Sequence, residues 1–403
     1  SWFDGVEAAE VALQALNHPR DYYIDYTLGE TVRQLKKDWN PALAAGLPVA
    51  VNHPAGLDYL LARLTIPELA RLKPSRVVFS ELVSRPRVPM AQRHRALDGL
   101  AKLNGTDRLT ELVAAIGVSD AGDATDAELV LFDLAHMLTG QAPKKLVAAR
   151  KQLERMATKS GRGVTRQIGF AALLTADGKS AAAWQLAEGS GSGRLDLMQG
   201  LSLVPDPALR NSLFPEIKPL LARPAKPVTP EALALRRSAF TAATALPGHQ
   251  SEVFRILAEF ARRGDQRHAA VQAISRIPKY RWDKAQAGPL VTSLLQFARG
   301  VPAKQRTRAD VRDALGLSGE LTTLLPMADA VRLRAQIDQL GVRRIVIRPV
   351  PHRMKYDRTV IAVQAGKPIE IVFDNVDIMP HNLLFTRPGG MLSVAQAAER
   401  MAT

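Results

Sequence analysis

Up to about residue 338 the apolar residues of this chain recur with the period of a helix, and near residue 342 the period becomes that of strands. That switch predicts a long helical region followed by a short β segment. The first stripe, Val6, Ala9, Leu13 and Leu16, marks one helix face and stops at His18-Pro19. Helix starts are marked as clearly. Thr125-Asp126-Ala127-Glu128 has the spacing of a capping box, and Thr229-Pro230-Glu231 sets a proline at a first helical position, where its missing N–H costs nothing. The run of prolines over 223–230 reads as a stiff connector and a candidate break in the array.

One theme recurs inside the helical region. Arg95-Ala96-Leu97-Asp98-Gly99-Leu100-Ala101, Arg166-Gln167-Ile168-Gly169-Phe170-Ala171-Ala172 and Arg237-Ser238-Ala239-Phe240-Thr241-Ala242-Ala243 follow one another at 71 residues, the length of about two helical hairpins. A weaker copy starts at Arg267. Small residues let neighbouring helices approach closely, so stacked hairpins can bury a continuous core. The pattern resembles HEAT-like repeats, and it predicts an irregular α-solenoid over residues 1–338. An irregular helical bundle is the competing reading.

Composition excludes several function classes. No stretch is long and apolar enough to span a membrane as a helix, and the first residues lack the basic and apolar regions of a signal peptide. The chain reads as the middle of a longer protein. With no cysteine it has no disulfide, thiolate zinc site or iron–sulfur cluster of its own. No His-Glu-x-x-His spacing, Gly-x-Ser-x-Gly elbow or carboxylate pair appears, so no catalytic residue is named and no enzyme is expected. Asp133 and His136 share a helix face, where a local hydrogen bond is the expected role. The 189–193 run of Gly and Ser lacks the Lys-Ser/Thr ending of a phosphate loop and reads as a turn between helices, as does Arg263-Gly264-Asp265.

The net charge of +15 includes one long, dense basic run. Lys144, Lys145, Arg150, Lys151, Arg155, Lys159, Arg162 and Arg166 fall within 23 residues, with Glu154 as their only acid. A solvated face is the plain reading of such a run. A docking surface for an acidic protein, such as a redox partner, comes next, and nucleic-acid phosphate after it.

The β segment carries the most specific signal. Short β-branched runs at 344–348, 359–364 and 368–373 are predicted strands, 374–380 a loop, His381 to Phe385 the start of a fourth strand, and the residues from Met391 to Met401 a helix. Within it, Val363-Gln364-Ala365-Gly366-Lys367-Pro368-Ile369-Glu370 leads through Asn375-Val376-Asp377-Ile378-Met379-Pro380 to His381-Asn382. This resembles the azurin and plastocyanin (cupredoxin) family at its first copper-ligand loop. Arriving directly from helical repeats, it looks like bacterial exported multidomain proteins in which a sugar-dehydrogenase-like propeller, HEAT repeats and an azurin-like domain follow one another. The resemblance implies a Greek-key β-sandwich from residue 339 to 403, with His381 as a first imidazole ligand to copper. It implies the Pro380 carbonyl near the axial direction and Asn382 bracing the ligand loops. A redox protein or attached dehydrogenase as partner, and a location outside the cytoplasm, follow from it too. A type 1 site needs two imidazoles and a thiolate, and no Cys or His follows His381. The expectation is therefore a mainly α chain: a scaffold, then an incomplete cupredoxin domain belonging to an electron-transfer protein. The alternative is a basic helical-repeat protein that binds nucleic acid or an acidic protein.

Overall fold

A computed structural model describes residues 4–122, 127–222, 229–341, 343–350, 355–365, 369–375 and 383–399. The chain is mainly helical, 70% of it helix, with two strands among the described residues. It divides into two compact units, 1–250 and 251–403. The expected break at 223–230 falls largely outside the described residues, as do Thr125 and Asp126 of the expected capping box.

Local chemistry accounts for several helix ends in the first unit. Asp21, Ser75, Asp107 and Thr229 each accept a backbone N–H from the first turn they precede. Thr65 and Glu68 close a full capping box. At the other end, Gly105 and Gly178 stop Met90–Asn104 and Gly163–Asp177 in the left-handed conformation, with φ of 66° and 63°. Val6–Leu13 passes through a 3-10 turn and ends at an extended His18, where the sequence sets its stop.

The centre of this unit is Gly163–Asp177, which packs against Ala127–Thr139, Pro143–Ala148, Arg150–Lys159, Ala181–Glu188 and Gly193–Gly200. Every residue from Ile168 to Leu174 is buried. Gly169 makes this possible, because a Cβ there would lie 2.5 Å from the Ala157 backbone nitrogen. The recurring motif is buried alike in its three copies at the second, fifth and sixth residues after the arginine: Leu97, Ile168 and Ala239, then Leu100, Ala171 and Ala242, then Ala101, Ala172 and Ala243. The arginines themselves differ. Arg95 and Arg237 are exposed, while Arg166 is half-buried against Asp196.

Other arginines do a shared structural job that the motif does not mark. Arg85 donates to the Leu61 and Leu64 carbonyls, Arg93 to those of Val83 and Arg85, and Arg162 to those of Asp120 and Gly122. Arg166 donates to the Ser160 and Gly161 carbonyls. In the second unit Arg267 reaches the Ala261 carbonyl and Arg306 that of Val301. Each acceptor lies at or just past the C-terminal end of a helix, where carbonyls lack an intrahelical partner and carry the negative end of the dipole. A guanidinium, with five donors in a fixed fork, serves two such carbonyls at once. Part of the chain's positive charge is thereby spent on structure.

The second unit contains the helices from Ser251 to Leu340 and the β segment. Lys284–Gly300 packs on Ala309–Leu321 and Met327–Leu340. Gln250–Arg263 ends in a turn at Gly264, φ 85°, as Arg263-Gly264-Asp265 implied. β1 (Arg343–Ile347) and β2 (Ile369–Phe373) pair in parallel, from Arg343 opposite Ile369 to Ile347 opposite Phe373. Ile345 and Ile347 are buried. Two predicted strands are not formed among the described residues. Residues 359–364 are irregular and mostly exposed, with Val360 81% exposed, and Leu383 to Phe385 are irregular too, with Leu384 and Phe385 exposed. An apolar run becomes a strand only where a neighbour pairs with its backbone in a ladder and covers its side chains, and among the described residues neither run joins the β1–β2 ladder. Between the strands, Asp357 closes a small loop by accepting from the Arg348 N–H at 2.9 Å and donating its own N–H to the Arg348 carbonyl at 2.8 Å. The expected helix after Met391 is present as Met391–Glu399.

Candidate functional site

Pro380, His381 and Asn382, the residues singled out for copper, lie outside the described residues. The donor set can still be tested against the chain. It has no cysteine, and among the described residues no group of three or more His, Asp or Glu side chains could hold a metal ion. Residues 1–403 alone lack the thiolate of a blue-copper donor set, and no step through copper is derived from them.

Four of the described histidines, His53, His136, His249 and His268, have ordinary structural roles. His53 Nδ1 accepts the Gly56 N–H at 2.7 Å and starts Pro54–Leu61, while its Nε2 faces Asn17 Oδ1 at 3.0 Å. His249 stacks on Phe214, and His268 sits 2.9 Å from Asp313. The expected Asp133–His136 bond is not made. Asp133 instead accepts from the fully buried Arg93 at 2.9 Å, and His136 packs edge-on against Phe132. Burial of Arg93 outweighs the local pair: its guanidinium, which desolvation pushes below its ordinary pKa, needs a carboxylate more than an exposed imidazole does.

What the fold does assemble is the basic stretch. Its residues fall on Pro143–Ala148, on Arg150–Lys159 and at the start of Gly163–Asp177, and they separate into two groups. Arg150, Arg162 and Arg166 are tied down: Arg150 by Glu154 and Asp177, Arg162 by the carbonyls named above, Arg166 by Asp196 at 2.7 Å. Lys144, Lys145, Lys151, Arg155 and Lys159 are exposed and make no ion pair among the described residues. Leu153, Met156 and Ala157 turn inward, so Arg150–Lys159 presents its cations outward.

Beside this helix lies a cavity of about 790 Å³. One wall is Arg150, Glu154, Thr158 and Lys159; the opposite wall includes Ala183 and Leu186 and closes on the turn at Gly189, Ser190 and Gly191. Leu173 and Asp177 reach it from Gly163–Asp177. Asp177 is 8% exposed; its Oδ1 takes Arg150, and its Oδ2 is buried with no hydrogen-bond partner. A buried carboxylate oxygen left unpaired is costly, and it is a ready acceptor for a ligand N–H. A smaller cavity of about 380 Å³ lies between Asp107 and Lys145, and the Thr110 N–H, chiefly, with Lys145 adding to it, holds the Asp107 carboxyl below its usual range.

Neither cavity was legible as such in the sequence. The usable signal was phase: Lys151, Arg155 and Lys159 are spaced by four, one residue round the helix from Arg150, Glu154 and Thr158. Comparison of the chain with protein families, with curated proteins and with solved structures found no match. No helix among the described residues is long and apolar enough to cross a membrane.

Proposed function

We propose that this chain is a helical-repeat scaffold of an electron-transfer assembly, not an enzyme, whose residues from 339 open a cupredoxin-type β domain and whose basic face at 144–166 docks an acidic protein. The HEAT-like part of this reading is supported by the three motif copies, which bury the same three positions. The observation that carries the β part is the order of elements after Leu340. β1 and β2 pair in parallel, which demands a crossover rather than a hairpin, and β2 runs out through Asp374 and Asn375 toward Pro380-His381-Asn382. Two strands fall short of an independently stable sheet, and Val360, Leu384 and Phe385 stay exposed around them. Further strands packed on this segment would cover such residues, as in a sandwich.

The thiolate and second imidazole of a blue-copper site would have to come from outside residues 1–403. The test is therefore made on the longest product of the gene, loaded with copper. A strong thiolate-to-copper absorption that vanishes in His381→Ala is expected. A colourless copper-loaded product, or a reading frame offering no Cys followed within a short loop by a His, overturns the copper part.

A second reading, a basic repeat protein that binds nucleic acid, is favoured by the same unpaired cations. Retention on DNA that falls steeply with salt, at least as strong as retention on an acidic protein column, would establish it in place of the first.

A further inference from the structure

The cations of Arg150–Lys159 and the cavity beside them form one arrangement. Lys151, Arg155 and Lys159 stand four residues apart on one edge of the helix, about 6 Å of rise per step. An extended peptide advances about 6.7 Å for every two residues and turns alternate side chains to opposite faces. Acidic residues at every second position of such a peptide would therefore meet the three cations nearly in register. The intervening side chains would face the other way, into the cavity, where the accessible apolar surface comes from Ala182 and Leu186.

Two further features select a peptide over a nucleic-acid strand. Asp177 Oδ2, buried and unpaired, needs a donor, which a peptide backbone has and a phosphodiester backbone lacks. Glu154 and Asp177 line the cavity, where they would repel phosphates, and no aromatic ring lines it for bases to stack on. The cavity's volume lies in the range that takes a short ligand segment.

From this geometry we infer that the groove between Arg150–Lys159 and Ala181–Glu188 binds an extended segment of a partner protein in which acidic and apolar residues alternate. The inference rests on the reading of 144–166 as a docking face and narrows it to one groove and one sequence pattern. The cations outside the groove, Lys144 and Lys145, supply long-range attraction but no register.

Fluorescence anisotropy on the whole chain tests this with three labelled probes: a nonapeptide alternating glutamate and valine, a nonapeptide of the same composition with the glutamates in one block, and an oligothymidylate of equal charge. The alternating peptide is expected to bind at least fivefold more tightly than either other probe. The exposed triple variant Lys151→Ser, Arg155→Ser, Lys159→Ser should weaken it at least tenfold with unchanged circular dichroism, and Lys144→Ser, Lys145→Ser by less than threefold. Equal affinity for the two peptides, or equal losses in the two variants, overturns the groove and leaves the acidic-partner reading standing. Tighter binding of the oligothymidylate, or no binding of any probe, overturns both.

Discussion

The helix Gly163–Asp177 and the strand β2 are both apolar runs, yet the chain treats them oppositely. From Ile168 to Leu174 the helix is buried without interruption, enclosed by helices before and after it in sequence. In β2 every residue is only half-buried, and among the described residues the strand has one hydrogen-bonded neighbour. A helix satisfies its backbone internally and needs company only for its side chains. A strand depends on neighbours for both. Among the described residues the helices thus cover their own apolar run, while the two strands pair only with each other.

Truncation should expose that difference most sharply. Phe170→Ala removes a side chain with no exposure and is expected to cost about 3–5 kcal/mol. Phe373→Ala, at a half-buried ring packed edge-on to Tyr356, should cost about 1–2 kcal/mol by the same scale. Urea unfolding midpoints measure both. Equal losses would mean that the β segment is as tightly packed as the helices and would break the comparison.

The next effect concerns the arginines that tie helix ends. Arg93 has no exposure and serves Asp133 together with the Val83 and Arg85 carbonyls. Arg93→Ala should cost about 3 kcal/mol, because it strands three acceptors. Arg95→Ala, two residues on and exposed, should change stability by less than about 0.5 kcal/mol. Gly169→Ala comes after these, with an expected loss of about 1–3 kcal/mol, since the new methyl meets backbone of Ala157 that has no rotamer through which to escape.

Much of the helical part could be read from residues alone because its signals are local. Thr229 caps Pro230–Thr244 as its hydroxyl and the following proline require, and the repeated small residues do mark positions where helices meet. The equal spacing of Arg95, Arg166 and Arg237 carried a different message from the one it suggested: the apolar positions behind it repeat, the arginines do not. The arginines that matter, Arg85, Arg93 and Arg162, are chosen by distance to a helix end in space, which no spacing rule encodes. Asp133 illustrates the same limit, since its partner lies 40 residues away and not one helical turn away. In the β segment, 344–348 and 368–373 were legible within a residue because they found each other, and 359–364 was misread because strand propensity describes a half-buried surface and in this run only Ile361 is half-buried. The basic face was legible as charge; which cations are free could be seen only once Asp177, Asp196 and the Asp120 carbonyl were in place.

The smallest effect tests whether an exposed cluster on a helix end adds measurably to the packed helices. Glu68 accepts from the Thr65 N–H at 2.7 Å and lies 2.8 Å from the Lys36 ammonium, bridging Ile66–Leu69 to Lys36–Ala44. The Lys36 charge-assisted bond, and after it the Thr65 N–H, depress its pKa from 4.5 to about 2. A carboxylate whose folded pKa lies below its unfolded value stabilises the fold fully above the unfolded value, and that contribution fades as pH falls toward the folded one. Both side chains are about one-third exposed, so solvent screening holds the effect below about 1 kcal/mol. Glu68→Gln keeps an acceptor for the capping box and removes only the charge. The variant should be less stable than the parent chain above pH 4.5, and the two denaturation curves should converge as the pH approaches 2. A gap of the same size at pH 2 and pH 6 would mean that Glu68 acts through packing or hydrogen bonding alone, and the bridge to Lys36 would then add nothing to what the buried helices already supply.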